Sequence, residues 1–324
     1  MHRQRTRLAA RVPGRAQPVA KAVEKTGIVA TYRLHDRLLS NRASRRHYAD
    51  SPPLLNDVQR RIVEAVDREG YTTVRFDVLV SDDALRDAVL EQGASFVADT
   101  ERGLHEESQD ENGSSELRRR PGKEFLVRAH SFDGVRLGLD HAWLRASLSP
   151  HMLAVANAYL RMWAKLSYVD LWYTVPQPAE AERVASQLWH YDFDDKHLLK
   201  AFLYLDDVDQ ETGPFEYVAG SQPGGPHHDV RPWRPMGYGR VPEEDVQRTV
   251  PDEAIRTFAA PRGTIIFCNT SGLHRGGFAT ARARVLATAT YCSPASLAAL
   301  SQRNYDVDPS QLSDLSQEGR YAVS

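Results

Sequence analysis

From Lys165 onward the chain is punctuated in a way that leaves few folds open to it. Short runs rich in β-branched and aromatic residues follow one another with turn residues between them: Tyr168 to Val175, Ser186 to Phe193, Leu198 to Leu205, Phe215 to Val218, Gly263 to Asn269 and Arg284 to Tyr291. No repeat of fixed period links them. Such a succession predicts an antiparallel sheet region closing into a two-sheet barrel.

The N-terminal half supplies helices instead. Within Leu54 to Glu69 the apolar residues Leu55, Val58, Ile62, Val63 and Val66 recur at helical spacing, and Gly70 stands where a C-terminal cap belongs. The run "YTTVRFDVLV" then reads as a strand, and Ser81 with Asp82 and Asp83 caps a helix over Ala84 to Gln92. Ser149-Pro150 opens another helix, with Leu153, Ala156, Tyr159, Leu160 and Trp163 on its buried side. The stretch 99–124 is crowded with acids, Gly, Ser and the Arg118-Arg119-Arg120 run, which reads as a solvated loop or as a mobile flap over a pocket. The expected organisation is a basic, flexible arm over 1–50, one domain over 51–295, and a polar, partly helical tail over 296–324.

Composition narrows the function classes. A net charge of −2 gives no general attraction to nucleic acid or membrane, and no apolar run approaches the ~18 residues of a spanning helix. Cys268 and Cys292 are too few for a disulfide scaffold or a thiolate metal site, so a reducing, cytoplasmic setting is expected. The first 21 residues are Arg-rich and lack acids, as transit peptides do, but Pro13, Gly14 and Pro18 interrupt any amphipathic helix there.

Chemistry concentrates in "QLWHYDFDD". Strand periodicity puts His190 and Asp192 on one face, with Trp189 and Tyr191 on the other. A second H-x-D, His227 to Asp229, lies among Gly and Pro in "SQPGGPHHDVRPW" and reads as surface loop. A non-haem iron site of the facial-triad type needs two imidazoles and one carboxylate, leaving three positions open. "GTIIFCNTSGLHRGG" offers the third ligand at His274, although a lone histidine after a turn is by itself an ordinary loop residue. In "ARVLATATY" the residues Arg284, Leu286, Thr288 and Thr290 share a face, so an arginine heads the polar side of a strand whose other side is apolar. A guanidinium in a pocket suits a small dicarboxylate, because its planar fork meets a carboxylate at two points. In "LLKAFLYL", Leu199, Ala201, Leu203 and Leu205 form an apolar side, while Lys200, Phe202 and Tyr204 form a mixed one suited to a lined cavity.

The ordered segments "WHYDFDD", "LLKAFLYLDDVDQETGPFEYVAGS", "GTIIFCNTSGLHRGG" and "ARVLATATY" resemble the phytanoyl-CoA dioxygenase family of iron(II)- and 2-oxoglutarate-dependent oxygenases, from about Tyr168 to Tyr291. The resemblance implies a mainly β fold with flanking helices, built on a double-stranded β-helix or jelly-roll core. It implies iron(II) bound by His190, Asp192 and His274, with 2-oxoglutarate and O2 as cosubstrates. It implies Arg284 as the anchor of the far carboxylate of 2-oxoglutarate, with Arg282 as the alternative of the same parity. Phe202 and Trp172 would line the cosubstrate pocket, and Arg128 would be a further basic residue there. The implied reaction is hydroxylation of a small molecule, lipid or natural product with release of succinate and CO2. Desaturation, ring formation or epimerisation by the same chemistry, and a ligand-binding protein without turnover, stay open. A halogenase would need an open metal position where Asp192 stands. The sequence departs from the family in "GSQPGG", where Gly-Ser-His is usual, and at Asn269, where an aspartate is common. The loop 99–124, with His227, His228, Trp233 and Arg234, is expected on the substrate side.

Overall fold

The computed structural model describes residues 17–109, 117–130, 136–234 and 240–324. Its helices are α1 (Gln17–Arg37), α2 (Ser40–Asp50), α3 (Asp57–Glu69), α4 (Phe76–Leu79), α5 (Asp83–Gln109), α6 (Ala142–Ser147), α7 (Pro150–Leu160), α8 (Glu243–Thr249), α9 (Leu297–Leu300) and α10 (Gln317–Val323). The strands are β1 (Tyr71–Arg75), β2 (Arg119–Arg120), β3 (Lys123–Arg128), β4 (Lys165–Thr174), β5 (Leu198–Tyr204), β6 (Phe215–Val218), β7 (Ile255–Phe258), β8 (Thr264–Cys268), β9 (His274–Arg275) and β10 (Arg284–Cys292).

Two antiparallel sheets carry the fold, one ordered β1-β8-β5-β10-β4-β3-β2 and a smaller one ordered β7-β6-β9. Alternation along the strands assigns the layers. On β10, Val285, Ala287, Ala289 and Tyr291 join the large core that also holds Ile62 and Val66 of α3, Val89 of α5 and Met152 and Leu153 of α7. The opposite parity, with Leu286, Phe202, Tyr204 and Ile266, packs against Phe215, Tyr217 and Phe258 of the smaller sheet. The helices thus back the large sheet, the two sheets face each other, and the result is the double-stranded β-helix core implied above.

Local chemistry sets several boundaries. The Asn56 side chain accepts from Gln59 N while Gln59 caps Asn56 N, and Gly70, at φ 84°, ends α3 in the left-handed region. Ser149 caps α7 and Pro150 opens it.

Other expectations are corrected. "YTTVRFDVLV" is a strand only as far as Arg75, after which α4 begins. The helix expected over Ala84 to Gln92 continues to Gln109, through the first part of the expected loop. Gly93 does not stop it, since its missing Cβ makes room for Leu205, whose methyl carbons would lie 3.0 Å from that Cβ. Residues 119–120 and 123–128 are strands, and the remainder of the expected flap, 110–116, lies outside the described residues. Ser186 to Phe193 is not a regular strand but a 3-10 turn at Ala185–Gln187 followed by a single β-bridge between His190 and His274.

The arm expected over 1–50 is helical from Gln17, and residues 1–16 lie outside the described set. Its anchors are polar. Tyr32 Oη donates to Asp195 Oδ1 at 2.6 Å, and Asp36 pairs with Lys196 at 2.7 Å and with Arg45 at 3.1 Å. A reading built on apolar spacing has no purchase on such contacts. The tail over 296–324 packs by α9 and α10, and Lys165 Nζ donates to the carbonyl of Tyr321 at 2.6 Å. Among the described residues no helix is long and apolar enough to cross a membrane.

Candidate metal centre

Backbone pairing builds the site. His190 and His274 exchange N–H···O bonds of 2.9 and 2.8 Å, and two residues further on Asp192 N donates to Thr270 O at 2.7 Å. That short ladder keeps His190 and Asp192 on the side facing His274, while Trp189 turns away into a separate cluster with Val218, Val241 and Leu273. The turn leading to His274 needs Gly272, because a Cβ there would stand 2.2 Å from the Tyr217 hydroxyl.

One ligand atom from each of His190, Asp192 and His274 lies within 4.8 Å of the other two. The imidazole centroids are 4.2 Å apart. His190 Nδ1 is 2.8 Å from Leu188 O, and His274 Nδ1 is 2.9 Å from Gly272 O. A carbonyl can only accept, so each Nδ1 carries the hydrogen and each Nε2 keeps a free lone pair. Backbone partners of this kind commonly orient metal-bound imidazoles. Burial, with His274 alongside, pushes His190 down to about 3, and burial lowers His274 as well, so both rings are neutral, as ligation requires. Burial opposes the charge on Asp192, but the Lys200 ammonium, 2.6 Å from Oδ2, holds the carboxylate below its usual range. The donor set of two neutral imidazoles and one carboxylate fits a divalent first-row metal, iron(II) included.

The inner face of the large sheet continues from this cluster. Cross-strand register sets Tyr168, Thr290, Lys200 and Cys268 in one row, then Asp170, Thr288, Phe202 and Ile266 in the next. Beyond them come Trp172 with Leu286 and Tyr204, and finally Thr174 with Arg284. Arg284 is 6% exposed. Its Nη1 donates to Gly213 O at 2.6 Å, Nη2 reaches Thr174 Oγ1 at 3.4 Å, and Nε has no partner. Burial pushes its pKa down, and among the described residues no carboxylate opposes that shift. The hydroxyls of Thr288 and Thr290 are likewise buried without partners among the described residues.

The other residues singled out by the sequence fall into two groups. Trp172 and Phe202 join an aromatic series that reaches the site, with ring centroids 6.2 Å apart for Trp172 and Phe202, 5.2 Å for Phe202 and Phe215, and 5.7 Å for Phe215 and His274. Arg128, by contrast, is 2.5 Å from the buried carboxylate of Asp170, which also accepts from Trp172 Nε1 at 3.0 Å. Arg282 is half exposed and paired with Asp209 and Glu211 at the surface. His228 pairs with its neighbour Asp229 at 3.0 Å, and neither belongs to the metal cluster. Trp233 does reach the site, its Nε1 donating to Asp192 O at 2.8 Å. The Lys200 contact with Asp192 was not foreseen, although Lys200 is the one charge on the inward parity of "LLKAFLYL".

Neither a protein-family model nor a curated protein matches the chain. Among solved structures it is similar to the epimerase SnoN in complex with Fe3+, alpha ketoglutarate and nogalamycin RO, at 18% identity and a TM-score of 0.48, over 75% of this chain and 89% of that one. It is similar to AviO1 from Streptomyces viridochromogenes Tue57 at 20% identity and 0.46, over 75% and 98%. It is similar to EctD from S. alaskensis at 16% identity and 0.46, over 76% and 80%.

Proposed function

We propose that this protein is an iron(II)- and 2-oxoglutarate-dependent oxygenase of the phytanoyl-CoA dioxygenase type, acting on a small molecule. The observation that carries the reading is a pairing of two groups: two neutral imidazoles with one carboxylate, and a buried guanidinium that has no counter-ion among the described residues. A buried cation without a counter-charge is costly, and an anionic ligand that arrives to pair with it is the simplest reason for one to be there.

In this reading His190, Asp192 and His274 hold the metal. Bound there, iron(II) supplies the redox chemistry that couples decarboxylation of 2-oxoglutarate to succinate and CO2 with oxidation of the substrate by O2. Arg284 receives the far carboxylate, with its partnerless Nε as a further donor. Trp172 and Phe202 wall the pocket and exclude water from it. Leu188 O and Gly272 O keep the imidazole protons on Nδ1 throughout. Hydroxylation is the primary outcome; desaturation, cyclisation or epimerisation depends on how a substrate is posed.

Anaerobic reconstitution with iron(II) and 2-oxoglutarate tests the reading. A visible metal-to-ligand charge-transfer band at one iron per chain is expected, followed by succinate release in air when candidate substrates are screened. No band and no iron retained would refute it.

A further inference from the structure

Resting on that reading, one more ligand group can be assigned to the inner face. Lys200 lies in the row Tyr168, Thr290, Lys200, and Arg284 lies at the other end of the same face, six residues along β10 from Thr290. At the ~3.3 Å rise of a strand residue that separation is on the order of 20 Å between backbone positions, far longer than a five-carbon diacid. The ladder through the cluster runs from Ser186–Gly276 through His190–His274 to Asp192–Thr270; Arg284 Nη2 would lie 3.6 Å from a Cβ on Gly276 at one end, and Lys200 pairs with Asp192 at the other, so Lys200 stands on the side of the cluster away from Arg284.

The charges on this side do not balance once the site is loaded. Lys123, with Arg120 and Arg128 in its own range, is within electrostatic range of Lys200, and the carboxylates near Lys200 are Asp192 and Asp194. A divalent ion adds two positive charges, whereas the keto-acid end of 2-oxoglutarate brings one negative charge. Loading therefore adds net positive charge. The ammonium that pairs with Asp192 at 2.6 Å must then share that carboxylate with a dication, which repels it. Thr290, 2% exposed, offers beside it a hydroxyl that has no partner.

We propose that Lys200 and Thr290 form an anion-binding subsite for the primary substrate, so that the molecule oxidised carries a carboxylate or phosphate group held beside the metal, opposite the Arg284 end. The ammonium supplies charge and the threonine hydroxyl a directed hydrogen bond, and together they fix one end of the substrate relative to the metal.

The test uses the full chain, loaded anaerobically with iron(II) and saturating 2-oxoglutarate, and three probes that share a pentyl chain: hexanoate, pentyl phosphate and the neutral hexanamide. Binding is read from the perturbation of the charge-transfer band and by calorimetry. At least one anion is expected to bind roughly tenfold or more tighter than the amide, the strength of a charge-assisted hydrogen bond. Lys200→Met should erase that preference, Lys200→Arg should keep most of it, and Thr290→Val should weaken it, while 2-oxoglutarate affinity in Lys200→Met stays within about threefold of wild type, a small effect beside the loss expected at Arg284. Preference for carboxylate over phosphate, or the reverse, identifies the group. Equal binding of anion and amide by the wild type overturns the proposal, and that comparison needs no variant to fold. A fall in 2-oxoglutarate affinity in Lys200→Met as large as that in an Arg284 variant overturns it too, by making Lys200 a cosubstrate residue. If the wild type gives no charge-transfer band, the reading of the site itself fails, and the subsite with it.

Discussion

Replacing Arg284 by Met separates two roles that a buried arginine can have. As a strut it would stabilise the folded chain; as a waiting anchor it should destabilise the ligand-free protein. The second is the role proposed above, and it rests on a guanidinium that is 6% exposed and bonded to Gly213 O at 2.6 Å, with Nε partnerless among the described residues. A buried ion without a counter-charge costs several kcal/mol, and the Gly213 carbonyl left without its donor returns about 1–3 kcal/mol of that, so Arg284→Met should raise the stability of the ligand-free protein by about 1–2 kcal/mol. The same substitution should cost about 2–5 kcal/mol of 2-oxoglutarate binding, roughly 30-fold to several thousand-fold. At a cosubstrate concentration of ~100 times the wild-type Kd, the ligand stabilises the wild type by ~2.7 kcal/mol and the variant by less than about 0.9 kcal/mol. The assay is anaerobic thermal melting of the iron-loaded protein with and without 2-oxoglutarate, beside titration of the charge-transfer band. A variant that melts below wild type without ligand, yet binds 2-oxoglutarate as tightly, would refute the argument and make Arg284 a strut between β10 and the Gly213 turn. Arg282→Ala, which removes a half-exposed residue already paired with Asp209, should change neither quantity appreciably.

Three further outcomes are expected. His190→Ala and His274→Ala should each abolish stoichiometric iron(II) retention after desalting, because a histidine and a carboxylate alone hold a labile divalent ion poorly, whereas His227→Ala should retain it. Asp192→Ala should keep the fold by circular dichroism but collapse succinate release; wild-type turnover in that variant would place the carboxylate ligand elsewhere. His141 Nδ1 accepts from Leu144 N at 3.2 Å, so its Nε2 donates to His130 Nε2 at 3.0 Å, and burial pushes the two residues down to about 4 and about 3 from 6.5. Below the unfolded value the unfolded chain takes up protons that the folded chain refuses, so stability is complete above pH ~6.5 and falls as pH drops towards 4, by about 2 kcal/mol per histidine at pH 5. Melting at pH 7 and pH 5 should therefore show a smaller acid loss in His130→Asn than in wild type; an equal loss would show that this pair does not titrate on unfolding.

Period and punctuation in the sequence were sufficient for the layered core. Alternation in "ARVLATATY" and "LLKAFLYL" is a property of each strand by itself, so the faces of β10 and β5 were legible before their partners were known. The helix ends at Gly70 and Ser149 were legible for the same reason, since a cap acts within one turn. So was the grouping of His190 with Asp192, which follows from a two-residue separation in extended chain even though only one β-bridge forms there.

Tertiary structure decided whatever depended on a partner distant in sequence. Gly93 sits inside a helix because Leu205 fills the space its side chain would take, and no local signal announces Leu205. The N-terminal helices are held by Tyr32 on Asp195 and Asp36 on Lys196, polar contacts across more than a hundred residues that hydrophobic spacing cannot register. Two arginines of like appearance were separated in the same way. Arg128 finds the buried Asp170 on the neighbouring strand, while Arg284, among the described residues, finds only neutral oxygen atoms. A side chain's type fixes what it can bind, but whether its counter-charge is already present is a question of three-dimensional proximity. That proximity leaves Arg128 an ion pair and Arg284 a buried charge with only neutral partners among the described residues.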